Sequence, residues 1–166
     1  MVFTATDALM ALQIIISGGQ TGVDRAALDA CLELEFPCGG WCTDGRTAED
    51  GPIPLRYPLI ELQSPYYDDR TRRNIVESEA TLIICDGKLS GGTLLTANYA
   101  KQIGRPVFIF ELSPFFIDRT MENLFDFLEA FQVETLNVAG PRTSQSPNAY
   151  HIAKHITKQL IQKIQY

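Results

Sequence analysis

The chain has 166 residues and a formal net charge of -6 with a pI near 4.9. That length suits one domain with a sizeable core, and the acidity excludes general binding to nucleic acid or to anionic membranes, which needs a basic surface. A hydrophobic fraction of 45% with 20% charged residues is ordinary for a globular protein, and no apolar run approaches the roughly 20 residues of a membrane span.

Residues 1–11 carry Asp7 and no basic residue ahead of their apolar part, so they read as a loose lead-in rather than a signal peptide. The domain proper is expected over 12–166. Gln13-Ile14-Ile15-Ile16 is a short continuous apolar run, as expected of a strand buried on both faces. Val23, Ala26, Ala27, Ala30, Cys31 and Leu34 then follow helical spacing, with Asp29 and Glu33 opposite. The stretch 38–58 has no period and is rich in Gly, Pro and charge. A loop of that length inside a compact domain is usually functional, and Trp41, Ile53 and Leu55 are the expected anchors. A short strand is expected at 59–62. Ala80 to Cys85 reads as a second buried strand and Leu94 to Ile103 as a helix stopped by Gly104-Arg105-Pro106. Val107 to Phe110 makes a third strand. Met121, Leu124, Phe125 and Leu128 form a helical stripe, and Thr135 to Val138 a further strand. A last helix buries Ala149, Ile152, Ala153, Ile156, Leu160 and Ile164. Strands alternating with helices predict a single-domain α/β fold, a Rossmann-like three-layer sandwich around a mainly parallel sheet.

Two glycine-bearing turns stand out. Ser17-Gly18-Gly19-Gln20-Thr21-Gly22 follows the first strand, and Ser90-Gly91-Gly92-Thr93 opens the helix after the second buried strand. In open α/β sheets ligands bind at the carboxyl ends of strands, and a helix amino terminus offers unpaired N–H groups to an anion. Neither turn is a G-x-G-x-x-G fingerprint or a P-loop. Each serves either a tight strand–helix connection or a phosphate nest. Thr21 with Asp24 suits a helix start, as do Ser90 and Thr93. Arg70, Arg72 and Arg73 form either a solvated helix face or, through Arg70 and Arg73 beside Asn74, a fork for a phosphate or carboxylate. Asp44, Glu49 and Asp50 are candidate general bases, although loop acids are commonly only solvated.

The four cysteines, Cys31, Cys38, Cys42 and Cys85, read as reduced thiols of a cytoplasmic protein. No second Cys or His pair stands at zinc spacing, and His151 and His155 continue a polar helix face with Lys158 and Gln162. No metal site made of protein ligands is expected.

Taken together the motifs resemble the molybdenum carrier family, a Rossmann-like branch related to the lysine-decarboxylase-like (LOG) proteins. The matching stretches are residues 17–29, Gly39-Gly40-Trp41-Cys42, residues 45–54, Tyr57-Pro58-Leu59, Arg70-Thr71-Arg72-Arg73-Asn74, Gly91-Gly92-Thr93 and Leu136-Asn137-Val138-Ala139-Gly140-Pro141-Arg142. The resemblance implies a cytoplasmic homo-oligomer, dimer or tetramer, that holds a phosphate-bearing small molecule. That ligand is either molybdenum cofactor, a pterin carrying a phosphate, or a nucleotide derivative. The expected ligand-binding set is Gly18, Gly19, Gln20, Thr21, Asp24, Arg46, Arg70, Arg73, Asn74, Gly91, Gly92 and Thr93. The alternative is an enzyme acting on nucleotide-derived ligands, such as a LOG-like phosphoribohydrolase. Against it, Thr96 stands where the LOG motif has its glutamate.

Overall fold

A computed structural model describes residues 11–112 and 115–166. Most of the lead-in therefore lies outside the described residues. The chain forms β1 (Ile14–Ile16), α1 (Val23–Glu33), β2 (Cys38–Gly39), β3 (Trp41–Cys42), β4 (Thr47–Ala48), β5 (Gly51–Pro52), β6 (Ile60–Glu61), α2 (Tyr67–Val76), β7 (Ala80–Cys85), α3 (Gly91–Gln102), β8 (Val107–Glu111), α4 (Ile117–Ala130), β9 (Thr135–Ala139) and α5 (Ala149–Gln165). One five-stranded parallel sheet has the order β2-β1-β9-β7-β8. Helices α1, α4 and α5 pack together, while α2 packs on α3. This is the expected Rossmann-like α/β sandwich in a single domain.

The continuous apolar runs follow from that layering. β7 is buried at every position, because parallel strands with helices on both faces have no wet side. The main core joins Ile15, Leu82, Ile84, Leu136 and Val138 to Ala26 and Ala30 of α1 and to Ile156 and Leu160 of α5. β1 steps outward to β2 through α1, and β7 steps the other way to β8 through α3, with β9 between β1 and β7. The carboxyl ends of β1, β9 and β7 therefore share one crevice, the arrangement that makes ligand sites in open sheets.

The stretch 38–58 is ordered by small devices rather than by a period. β2 adds an edge strand to the main sheet, which the sequence pattern did not mark. β3 pairs with β6, and β4 with β5. The expected strand at 59–62 is thus a two-residue partner of β3, outside the main sheet. A second apolar cluster of Leu28, Cys42, Ile53, Tyr57 and Leu59 seats the segment on α1. Of the expected anchors, Ile53 is buried and Trp41 half-buried. Leu55 is 87% exposed and anchors nothing. Arg46 instead gathers the segment, donating to the carbonyls of Ile53, Leu59, Pro54 and Tyr57 at 2.9–3.2 Å. Helix α3 begins earlier than its apolar spacing suggested, because the extended Ser90 starts the turn at Gly91.

Close backbone approach at the crevice sets a steric limit. A Cβ on Gly140 would lie 2.3 Å from the Ile84 carbonyl oxygen and 2.6 Å from Val23 Cγ2. Gly140→Ala is therefore expected to lower stability by about 3 kcal/mol, at the upper end of overpacking penalties. Gly92→Ala, with nothing within 4 Å of the new methyl, should stay within about 1 kcal/mol of the parent. Urea denaturation of the two variants checks the contrast, and equal midpoints would contradict it.

Candidate functional site

The two glycine turns end up chemically different. At the first, the N–H groups of Gln20, Thr21, Val23 and Arg25 find acceptors within the protein, while those of Gly18, Gly19 and Gly22 have none among the described residues, and a carboxylate, Asp24, stands beside them. Gln20 N–H donates to Asp24 Oδ2 at 3.2 Å, and Thr21 N–H donates to Gln20 Oε1 at 3.0 Å. Val23 N–H reaches the Pro141 carbonyl, and Arg25 N–H the Gln20 carbonyl. Gly22 occupies the position before α1, with no side-chain cap. Thr21 therefore does not cap the helix. Its hydroxyl donates to Glu49 and accepts from Thr143 N–H.

Beneath this turn lies an ion pair. Arg70 Nη1 of α2 donates to Asp24 Oδ2 of α1 at 3.1 Å, with both residues buried. Gly18 permits it, since a Cβ there would sit 1.9 Å from Arg70 Nη1. Burial pushes the Asp24 carboxyl above its ordinary value, while Arg70 and the Gln20 N–H pull it back. The pair cancels its own charge.

At the second turn the amides are open. Ser90 precedes α3 without a side-chain cap. Leu94 N–H bonds back to the Ser90 carbonyl, but Gly91, Gly92 and Thr93 N–H have no acceptor among the described residues. The positive end of the α3 dipole points the same way. Thr93 lines the crevice, and Thr96 donates its hydroxyl to the Gly92 carbonyl at 2.8 Å. No carboxylate comes from the position where the LOG motif has its glutamate.

The crevice between these turns has a floor cavity of about 60 Å³, room for a few waters or a phosphate-sized group. Asp24, Arg70 and Arg142 are the charged residues lining it. The Arg142 guanidinium makes no hydrogen bond or ion pair among the described residues. It stacks over the Tyr67 ring at 5.6 Å. Gln20 Nε2 and Arg70 Nε are buried donors without a partner, and both residues line the crevice. Buried donors ordinarily find an acceptor.

Of the residues selected from sequence, Gly18, Gln20, Asp24, Arg70, Asn74, Gly92 and Thr93 meet in this crevice. Gly91 sits at its α3 edge, and Gly19 and Thr21 belong to the α1 turn behind it. Asn74 clasps the Trp41 backbone through both of its amide atoms. Arg46 lies inside the 46–59 segment, and Arg73 pairs with Glu77 at 2.8 Å and stacks on Trp41. Neither arginine lines the crevice. Thr96, Asn137, Gly140, Arg142 and Gln145 line it without having been selected. The available signal for most of them was their place just beyond the carboxyl end of β9.

The loop acids are engaged elsewhere. Glu49 accepts from Thr21, from Ser144 N–H at 3.1 Å and from Ser144 Oγ at 2.5 Å, and these bonds hold its carboxyl below the ordinary range. Asp50 is likewise held low by its bonds from Arg25. All four cysteines are free thiols. Among the described residues no group of His, Cys, Asp or Glu is placed to hold a metal ion, and no helix is long and apolar enough to cross a membrane.

Sheet order and crevice define a Rossmann-like ligand-binding domain. More narrowly, the chain belongs to the circularly permutated YpsA SLOG family, whose model matches residues 15–161. It is similar to a crystal structure of a putative molybdenum carrier protein from Syntrophus aciditrophicus SB, with 37% identity over 95% of this chain and 97% of that chain and a TM-score of 0.86. No curated protein matches it significantly. Both matches support a ligand-binding role.

The ion pair gives a pH-dependent prediction. A carboxyl whose pKa rises on folding favours the folded state below its unfolded value and loses that contribution as pH rises through the folded value. Arg70 opposes this by stabilising the charged form. Arg70→Met should therefore be destabilised by about 3–5 kcal/mol near pH 8, where it leaves a buried charge unpaired. The difference from the parent should shrink as the pH falls toward about 5, as Asp24 takes up a proton. Denaturant titrations of both proteins at the two pH values test this, and a pH-independent difference would contradict it.

Proposed function

We propose that this protein binds a phosphate-bearing small molecule, molybdenum cofactor or a nucleotide derivative, and holds it without turnover. The observation that carries the reading is the set of unpartnered Gly91, Gly92 and Thr93 amides at the start of α3, with the unpaired Arg142 lining the same crevice. A phosphate there would accept from those amides and from the Thr93 hydroxyl, with Arg142 supplying the countercharge. Arg70 contributes shape more than charge, since Asp24 neutralises it. The pterin or base would extend toward the open side, beside Tyr67 and the 39–54 segment. With no cluster of protein ligands for a metal among the described residues, molybdenum would arrive on its pterin and be held through the phosphate. The carrier named for the similar structure is in keeping with this. A cytoplasmic location and a homo-oligomeric state, both implied by the family resemblance, are part of the same proposal.

A LOG-like hydrolase is the competing reading. Its acid would have to be Asp24, the carboxylate that lines the crevice. Glu49 and Asp50 are bound up in the loop. Release of base from a nucleoside monophosphate by the purified protein would favour the hydrolase.

Gly92→Asp gives a clean test. The new side chain has open space, and an acidic residue in the first turn suits the helix dipole, so the fold should persist. The carboxylate would occupy and repel the phosphate position. Affinity for AMP and for isolated molybdenum cofactor, measured by calorimetric titration, should fall by at least about tenfold, the equivalent of 1.4 kcal/mol. Unchanged affinity for whichever ligand the parent binds rules out the α3 site.

A further inference from the structure

The segment that carries Arg142 is a short surface turn. Thr143, Ser144 and Gln145 are exposed. The turn closes on itself, with Gln145 and Ser146 N–H both reaching the Arg142 carbonyl at 3.0 Å. Pro141 and Ser146 flank it, the first accepting from Val23 N–H and the second donating its hydroxyl to Asp86. Between those flanks the Arg142 backbone packs on Gly22 and its guanidinium stacks on Tyr67, and the polar contacts of 143–144 outside the turn run to Thr21 and the Glu49 carboxylate. Ser144 donates to it through both N–H and Oγ, and Thr21, which accepts from Thr143 N–H, donates to it as well. Glu49 is itself fixed at the tip of the β4–β5 hairpin, where its neighbour Asp50 pairs with Arg25.

The same hairpin tip also sets Gln20. Glu49 N–H donates to Gln20 Oε1 at 2.9 Å, and Thr21 N–H donates to that oxygen too. Two N–H donors on one amide atom identify it as the oxygen. The amide nitrogen, Nε2, is thereby turned into a buried position with no acceptor. One residue of the hairpin thus governs a cation on one side of the crevice and an orphan donor on the other.

We propose that Glu49 is a positioning residue, a clasp that holds Arg142 ready for the ligand before the ligand arrives. The proposal rests on the anion-binding reading above. Glu49 need not touch the ligand, and both of its carboxylate oxygens are engaged by Thr21 and Ser144. Removing the clasp leaves the α3 amides intact but lets the 142–145 turn move, so that binding must then also order Arg142.

The test compares the parent, Glu49→Ala and Glu49→Gln near pH 7.5. Amide hydrogen exchange is read at Thr143 and Ser144 in ligand-free protein, and calorimetry reads the affinity for AMP and for inorganic phosphate. Glu49→Ala should speed exchange at both amides and weaken binding by about tenfold. Glu49→Gln keeps the length and an acceptor oxygen, so it should fall between. Because Glu49 acts through Arg142, Glu49→Ala should have no further effect on affinity in an Arg142→Gln background. Unchanged exchange overturns the clasp. So does fast exchange with parental affinity, or a Glu49→Ala effect that persists without Arg142. If the parent binds neither probe, the anion-binding reading fails by itself, and the exchange rates alone decide whether Glu49 holds the turn.

Discussion

A carboxylate removed from water needs a cation beside it, and the contact between Asp24 and Arg70 meets that need at the point where α1, α2 and the end of β1 converge. Much of the crevice geometry depends on it. Asp24 draws in the Gln20 N–H, which tightens the first turn, and Arg70 lies against the backbone of Gly18 because that residue has no Cβ. Such pairs add little net stability compared with apolar packing. Their effect here is to tie helices on opposite faces of the sheet to a single turn.

That same pairing decides where an anion can go. The α1 turn follows the first strand and has the glycines of a phosphate nest, but the N–H groups of Gln20, Thr21 and Val23 are committed to Asp24, Gln20 and Pro141. Asp24 also places a carboxylate there. The α3 turn has no internal acid and no cap, so its amides remain open, and the unpaired guanidinium of Arg142 lines the crevice beside them. Two turns of similar composition thus divide the work. One builds the wall, and the other, on the proposed reading, is left to bind.

The strands buried on both faces were legible because their burial writes a continuous apolar run, as in Ala80 to Cys85. Helices α1, α4 and α5 were legible by their 3.6-residue stripes. The two-residue strands β2 to β5 have no period to read, since pairing alone defines them, whereas β6 falls within the strand expected at 59–62. Within the crevice, Asp24, Gly92 and Thr93 could be picked out because they stand in or beside glycine turns, and Arg70 because it shares a helical side with Arg73 and Asn74. Arg46 and Arg142 were harder. A guanidinium that ties together loop carbonyls and one that faces a cleft use the same fork of donors, so residue type does not separate them. Arg142 is a single charge after Gly140-Pro141, with no charge pattern around it. It closes one of the stretches that carry the family resemblance and follows β9, and that place gains meaning once β9 is seen to insert between β1 and β7. Glu49 shows the same limit, as its partners at Thr21 and Ser144 are brought together solely by the fold.

On the proposed reading the anion is held by α3 and not by α1. A two-dimensional amide NMR titration with AMP tests it most directly, because it reports on each N–H separately. Saturable shifts are expected to centre on Gly91, Gly92 and Thr93, with smaller changes at Gln20, Thr21 and Val23, whose N–H groups already have acceptors. Shifts centred on Gln20 to Val23, with α3 silent, would contradict it.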